Sequence, residues 1–200
     1  MTCYTTRPDT IYGATYMVIA AEHPLVDELI AGTDNQEEIR SFVERIKKED
    51  AIDRTSEETE KEGIFTGRFV INPLTDEKIP LWIANYVLMD YGTGIVMAVP
   101  THDCRDFAFA KKYDLPMRIV IDNPEEPLSL DTMDDAYVEV GVMKNSGQFD
   151  GLTSDAAWDK ISDFIEERQF GRRTENFRLK DWLISRQRYW GAPIPIIYCD

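Results

Sequence analysis

The apolar positions of this chain change rhythm as it proceeds, and each change marks an element. Thr15 to Ala20 (TYMVIA) is rich in β-branched and apolar residues and predicts a buried strand. From Asn35 to Asp50 the rhythm lengthens. Ile39, Phe42, Val43 and Ile46 recur at spacings of three and four with charges between them, which predicts an amphipathic surface helix. The acid-rich stretch from Ser56 to Gly63 continues helically or forms an exposed loop. Beyond Thr66 the pattern turns to short strands at Arg68 to Ile71, Ile79 to Ala84, Tyr86 to Met89 and Ile95 to Val99, separated by Asn-Pro, Asp-Glu and Gly-Thr-Gly turn signals. Short strands so closely spaced predict a barrel or a strongly bent sheet.

His102 to Tyr113 reads as a helix, Met117 to Ile121 as a strand, and Asp122 to Leu130, with its two prolines, as a loop. Thr153 to Arg168 carries the clearest helical pattern, with Thr153 as N-cap and Ala156, Ala157, Ile161, Phe164 and Ile165 on one face. At the start, Cys3 to Thr6 reads as a short strand running into a turn preset by Pro8. The chain shows no internal repeat.

Two hundred residues with 43% apolar character and 11% aromatics suffice for one sizeable core, so one main domain is expected. Acidic residues outnumber basic ones 37 to 22, and the formal charge of −15 repels phosphate backbones, which argues against a stand-alone nucleic-acid binder. The balance is uneven. Residues 168–190 carry seven basic side chains (Arg168, Arg172, Arg173, Arg178, Lys180, Arg186, Arg188) against Glu175 and Asp181; setting aside that +5 leaves −20 elsewhere. Such a strip suits contact with RNA at one place, or simply a solvated basic face. Three scattered cysteines, Cys3, Cys104 and Cys199, point to a reducing compartment rather than a disulfide framework. No signal peptide is visible and no apolar run approaches the roughly 18 residues of a membrane span, so a soluble, cytoplasmic protein without membrane contact is expected.

Two segments carry chemistry. In Thr5-Thr6-Arg7-Pro8-Asp9-Thr10, three hydroxyls and both charge signs crowd a strand end, a cluster able to orient a water and a polar substrate. The same residues are also good turn chemistry, and Arg7 with Asp9 could simply pair at the surface. In Tyr91 to Phe107 a glycine turn feeds a buried strand that stops at Pro100, after which two aspartates open a helix. Either Thr101 or Asp103 fits the N-cap. Asp106 would then fall in the first turn, where the helix dipole keeps a carboxylate ionised and suited to an ammonium group.

Other chemistries lack their residues. Only His23 and His102 could serve a nucleophilic triad, His23 beside a proline reads as a turn residue, and nothing marks Cys104 as activated. Nucleotide-binding glycine patterns and a complete metal cluster are both missing from the sequence, so no cofactor and no metal are expected in this domain.

TTRPDTIYG, AEHPL, YGTGIVMAVPTHDCRDFAFAKKY, NSGQFDGL and RLKDWLISRQRYWGAPIP, in this order and across essentially the whole chain, resemble the editing insertion of leucyl-tRNA synthetases, especially bacterial ones. Related insertions of isoleucyl- and valyl-tRNA synthetases are the alternative within the family; Asp9 with Ile11-Tyr12-Gly13, and Met97 to Pro100, look like the leucyl version. Cys104 and Thr101 depart from the family's usual residues. The resemblance implies an α+β fold with a bent β-barrel core surrounded by helices: an editing domain over 1–177 and a segment, 178–200, returning toward the class I catalytic core. In that tail Tyr198-Cys199-Asp200 looks like half of a zinc knuckle, too few thiolates for a site.

It further implies hydrolysis of the ester that joins a wrong amino acid (norvaline, isoleucine or methionine) to the terminal adenosine of leucine tRNA. One methylene is worth only about 1–3 kcal/mol in an apolar pocket, so a single synthetic site cannot exclude such competitors. By similarity, Asp106 binds the α-ammonium with Asp103 assisting and Arg105 beside them, while Thr5, Thr6 and Arg7 place the substrate and water and offer donors to the oxyanion. Thr10 is the gate against leucine. Met97, Val99 and His102 line the same pocket, and Leu88, Tyr91 and Val96 contact the adenosine. ATP and magnesium belong to the parent enzyme's synthetic site. The implied partners are the 3′-terminal aminoacyl-adenosine and the rest of the synthetase chain, with the protein a monomer. Two readings from other classes are a non-catalytic module binding tRNA 3′ ends, and a synthetase fragment activating leucine.

Overall fold

β1 (Tyr16–Ala20) is buried along its whole length, and this single fact organises the molecule. In the computed structural model residues 1–50, 54, 56 and 59–175 are described. Alternate side chains of β1 serve two cores. Met17 and Ile19 join Ile39, Val43 and Ile46 of α2 (Gln36–Ile46) and Val26 and Ile30 of α1 (Val26–Ile30). Tyr16, Val18 and Ala20 pack instead with Phe109 and Ala110 of α3 (Cys104–Lys112). A strand covered on both faces has no polar side, which is why its sequence runs apolar without alternation.

The other strands are β2 (Gly63–Ile71), β3 (Lys78–Ala84) and β4 (Ile95–Ala98), and the sheet order is β2-β3-β1-β4. β1 runs parallel to β3, with Val18 opposite Trp82, and antiparallel to β4, with Met17 opposite Met97. β2 pairs antiparallel with β3 through a register shift between Phe65 and Phe69, where Gly67 takes a φ of 74°. Only the lack of a Cβ makes that conformation cheap.

β5 (Ile121–Asp122) and β6 (Val142–Met143) form a separate ladder. It shares a smaller core with Phe149 and with Ala157 and Ile161 of α4 (Ser154–Glu167). As expected, Thr153 caps α4, its hydroxyl accepting from the Ala156 amide.

Four expectations change, the first at Met117 to Ile121, where only Ile121 joins a strand, β5, and the residues before it are irregular. Among the described residues no pairing joins β2 to β4, so the expected bent barrel is an open four-stranded sheet in a mixed α/β arrangement. Tyr86 to Met89 is a loop, because its backbone bonds to a side chain rather than to a strand: the buried Arg54 guanidinium donates to the Asn85 and Val87 carbonyls at 2.8 and 3.2 Å. Cys3 to Thr6 is irregular, with a single backbone bond to the sheet, from the Tyr4 amide to the Ile95 carbonyl (3.2 Å), and the Trp158 indole donating to the Thr6 carbonyl (3.2 Å). The basic strip reaches the described residues only at Arg168, Arg172 and Arg173, and Arg173 is paired within the chain with Asp163 and Glu166. The expected boundary at 177, the returning segment 178–200 and Cys199 lie outside the described residues.

Candidate functional site

Pro8 starts a 3₁₀ turn, Pro8–Gly13, and the residues before it are wired to it locally. The Arg7 amide donates to the Thr5 hydroxyl (3.0 Å), leaving that hydroxyl's own proton for another acceptor. Both the Thr10 amide and the Thr10 hydroxyl donate to the Arg7 carbonyl, at 3.1 and 2.9 Å. Arg7 clasps Asp9 with two nitrogens, the closest contact 2.8 Å, and Asp9 is almost wholly buried, so the pair is a built feature rather than a surface encounter. The expected turn chemistry is present, and it fixes the backbone that carries Thr5, Thr6 and Thr10.

The second segment turns at Pro100. The His102 and Asp103 amides both donate to the Val99 carbonyl, at 2.9 and 3.1 Å. Asp103 is the N-cap of α3, accepting from the Arg105 and Asp106 amides, and its carboxylate also takes the Arg105 guanidinium at 2.7 Å. Thr101 is not the cap; it is buried and donates to the Arg118 carbonyl (2.6 Å).

Asp106 has quite different neighbours. Its Oδ1 accepts from the Tyr86 hydroxyl (2.8 Å) and its Oδ2 from the Val99 amide (2.8 Å), both neutral donors. Burial, reinforced by the nearby Asp103 charge, pushes its carboxyl up to about 7. That corrects the expectation of a carboxylate kept ionised by its place in the first helical turn. Desolvation outweighs the helix terminus here.

All of the expected site residues line one cavity of about 810 Å³: Thr5, Thr6, Arg7, Thr10, Leu88, Tyr91, Val96, Met97, Val99, His102, Asp103, Arg105 and Asp106. Tyr4, Tyr86, Val87 and Asp90 complete the wall and escaped the sequence reading. Tyr86 had left one usable signal, a phenol in an apolar run whose buried hydroxyl must find a partner. Tyr4 had none. It packs edge-on against Tyr91, ring centres 5.7 Å apart, and lies so close to Gly92 (φ 61°) that a Cβ there would meet it at 2.4 Å. A smaller cavity of about 350 Å³ adjoins, sharing Thr6 and Arg7 and bordered by Val140 and Trp158.

His102 lines the cavity as wall, not as base. Its Nε2 accepts from the Val120 and Ile121 amides (3.1 Å each), so its proton sits on Nδ1 and bonds the Tyr137 carbonyl at 2.9 Å. Burial holds it neutral, down to about 4. Cys104 is exposed and outside the cavity wall, and partial burial with Asp135 and Asp103 nearby raises its thiol, so no thiolate is at hand. Among the described residues, no group of three or more His, Cys, Asp or Glu is placed to hold a metal ion, and no helix is long and apolar enough to cross a membrane.

The cavity wall therefore combines the Asp103 and Asp106 carboxylates, the hydroxyls of Thr5, Thr6 and Thr10, the apolar side chains of Leu88, Val96, Met97 and Val99, and the packed rings of Tyr4 and Tyr91. It suits a small amine with an apolar side chain attached to a flat aromatic group.

Comparison with known proteins identifies the family. The family model described as the editing domain of leucyl-tRNA synthetase matches residues 1–166. A leucine-tRNA ligase of Nitratidesulfovibrio vulgaris is 59% identical over 200 residues, covering 100% of this chain and 24% of its own length. One from Thermosipho melanesiensis is 55% identical over 197 residues, 98% of this chain and 24% of its own. This chain thus spans about a quarter of the curated relatives it matches. Among solved structures, a leucyl-tRNA synthetase of Agrobacterium radiobacter in a ternary complex with tRNA and LeuAMS matches with a TM-score of 0.65 and 37% identity, over 100% of this chain and 21% of that one.

Proposed function

This chain belongs to the leucyl-tRNA synthetase editing-domain family, and from that premise we propose that it hydrolyses the ester of misacylated leucine tRNA, removing norvaline, isoleucine or methionine. The observation that carries this reading is the Asp106 carboxylate, buried at the cavity wall and, among the described residues, hydrogen-bonded only by the Val99 amide and the Tyr86 hydroxyl. A carboxyl raised by burial regains its charge when a cation arrives, and each of its oxygens keeps a lone pair for that purpose. Asp103 is already neutralised by Arg105 and spent on capping. The α-ammonium of an aminoacyl ester is the matching group.

With the amine gripped, the ester carbonyl lies toward the Thr5-Thr6-Arg7 side of the cavity. Water attacks the carbonyl carbon and the carbonyl oxygen takes the negative charge; as the carbonyl re-forms, the C–O bond to the ribose breaks and a proton of the attacking water passes to the ribose oxygen, giving the free amino acid and the tRNA hydroxyl. The Thr5 and Thr6 hydroxyls stabilise the oxyanion; one such donor is typically worth about 2.7–4 kcal/mol in the transition state. His102 has both ring nitrogens committed and Cys104 stands outside, so neither serves as base or nucleophile. An aminoacyl ester is reactive enough for positioning to suffice. Thr10 limits the side-chain end of the cavity against leucine, with Met97 and Val99 as its apolar lining. Tyr91, with Leu88 and Val96, receives the adenosine; its ring face suits an unstacked base.

The partners are accordingly the aminoacylated 3′ end of leucine tRNA and the remainder of a synthetase chain, with the protein a cytoplasmic monomer. A deacylation time course on norvalyl-tRNA tests the reading. Loss of the ester faster than in buffer supports it; binding of the tRNA with an unchanged ester lifetime would mean a non-catalytic end-binding module.

A further inference from the structure

We propose that Tyr86 is the positioning residue for the ammonium-binding carboxylate: its hydroxyl fixes Asp106 facing the cavity and sets the pH range in which that side chain grips a cation. This rests on the reading of Asp106 given above.

Tyr86 is anchored from three directions. The carbonyl before it and the carbonyl after it are both held by Arg54, so the loop cannot withdraw the ring. The ring packs against Phe109 of α3, centres 5.6 Å apart, tying the loop to the helix that carries Asp106. The hydroxyl, finally, donates to Asp106 Oδ1 at 2.8 Å.

The direction of that last bond follows from its neighbours. The Tyr16 hydroxyl lies 3.4 Å from the Tyr86 hydroxyl, and it also donates to the backbone carbonyl of Asp106 at 3.1 Å. With the Tyr16 proton spent there and a carboxylate able only to accept, the Tyr86 proton goes to Asp106 whenever Asp106 is charged. A donor bonded to the charged form favours that form.

The groups around Asp106 are few. Asp103 acts on it from the N-cap of α3 and Arg105 from the first turn of that helix, Tyr86 from the loop after β3, Tyr16 from β1, and the Val99 amide from just past the end of β4. Burial and Asp103 drive the proton on; Val99, Tyr86 and Arg105 drive it off. Val99 is backbone and Arg105 is already paired with Asp103, which leaves the Tyr86 hydroxyl as the adjustable donor.

Tyr86→Phe keeps the ring and removes only the hydroxyl. A carboxyl ¹³C titration of the ligand-free protein should then place the Asp106 midpoint higher by roughly one pH unit. The acid limb of deacylation should follow it, so that kcat/KM falls several-fold at pH 6.5 and recovers toward wild type by pH 8.5. Tyr16→Phe, in the same hydroxyl network but off the carboxylate, should leave the midpoint in place. Site-specific 3-fluorotyrosine at position 86, a stronger donor that preserves the fold, should move the midpoint down. An Asp106 midpoint unchanged in Tyr86→Phe overturns the proposal, since a merely structural tyrosine would lower stability alone. A midpoint that moves while the deacylation profile stays fixed overturns instead the assignment of Asp106 as ammonium ligand.

Discussion

Asp106 and His102 border one cavity, and burial displaces their protons in opposite senses: the carboxyl is pushed up to about 7 and the imidazole down to about 4. Their effects on stability oppose each other. Between the ordinary aspartate value near 4 and about 7, the folded state keeps the Asp106 proton that the unfolded chain releases, so this group's contribution is full at low pH and is lost as pH rises. His102 stays neutral when folded and gains a proton when unfolded below about 6.5, so its contribution is lost as pH falls toward 4. Each is on the order of 3 kcal/mol, and the two nearly offset between pH 4 and 6.5.

Asp106→Asn should expose this balance. Its amide oxygen can accept from Val99 while its NH₂ donates to the Tyr86 oxygen, so the fold survives. Urea denaturation should show the variant more stable than wild type at pH 8, and losing stability steadily from pH 6.5 to 4 where wild type stays nearly level. A variant less stable than wild type at pH 8 would mean the carboxylate is not costly in the folded state.

Affinity should follow the same group. A cation at Asp106 favours the charged form, so binding of a non-hydrolysable aminoacyl-adenosine analogue expels a proton from the free protein's carboxyl. Isothermal titration should find affinity rising from pH 6 to about 7.5, and the analogue lacking the amine should show no such rise.

Arg54 should prove structural and functional at once. Arg54→Met removes two carbonyl bonds to the loop bearing Tyr86 and strips Glu22 of its buried cation. Breaking a buried pair from one side costs about 3–5 kcal/mol, readable as a lowered urea midpoint. KM should rise along with it, because Tyr86, Val87 and Leu88 line the cavity.

Thr10→Ala trims a side chain of the cavity wall, under the proposed reading the one that limits its side-chain end, and removes one hydroxyl bond from the Arg7 carbonyl. Stability should fall by only about 1 kcal/mol. The larger consequence is in selectivity, since correctly charged leucyl-tRNA should become a substrate in the deacylation assay.

The central strand, α2, α3 and α4 were legible because their signals are local: an apolar run, a three-four spacing, an N-cap. The threonines beside Pro8 and the aspartates after Pro100 stood out in the same way, while Leu88, Tyr91, Val96, Met97 and Val99 were reached only through the family resemblance and Tyr4, Tyr86, Val87 and Asp90 not at all. Long-range bonds were not. Tyr86 to Met89 has strand-like composition, and Arg54, far back in the chain, decides that the Asn85 and Val87 carbonyls end on a guanidinium. His102 looked like a possible participant until two amides from Val120 and Ile121 claimed its Nε2. The proton on Asp106 depends on burial that only the assembled fold supplies. Closure into a barrel likewise depends on which edges meet, and here β2 and β4 stay apart.

The decisive measurement is deacylation of norvalyl-tRNA at pH 8 by Asp106→Asn, alongside a melting curve confirming that the variant is folded. A folded protein with its hydrolysis reduced by at least about 100-fold, as loss of a charge-assisted anchor in a buried site requires, is the expected result. A folded variant that still clears the ester at the wild-type rate would show that no ammonium is held there.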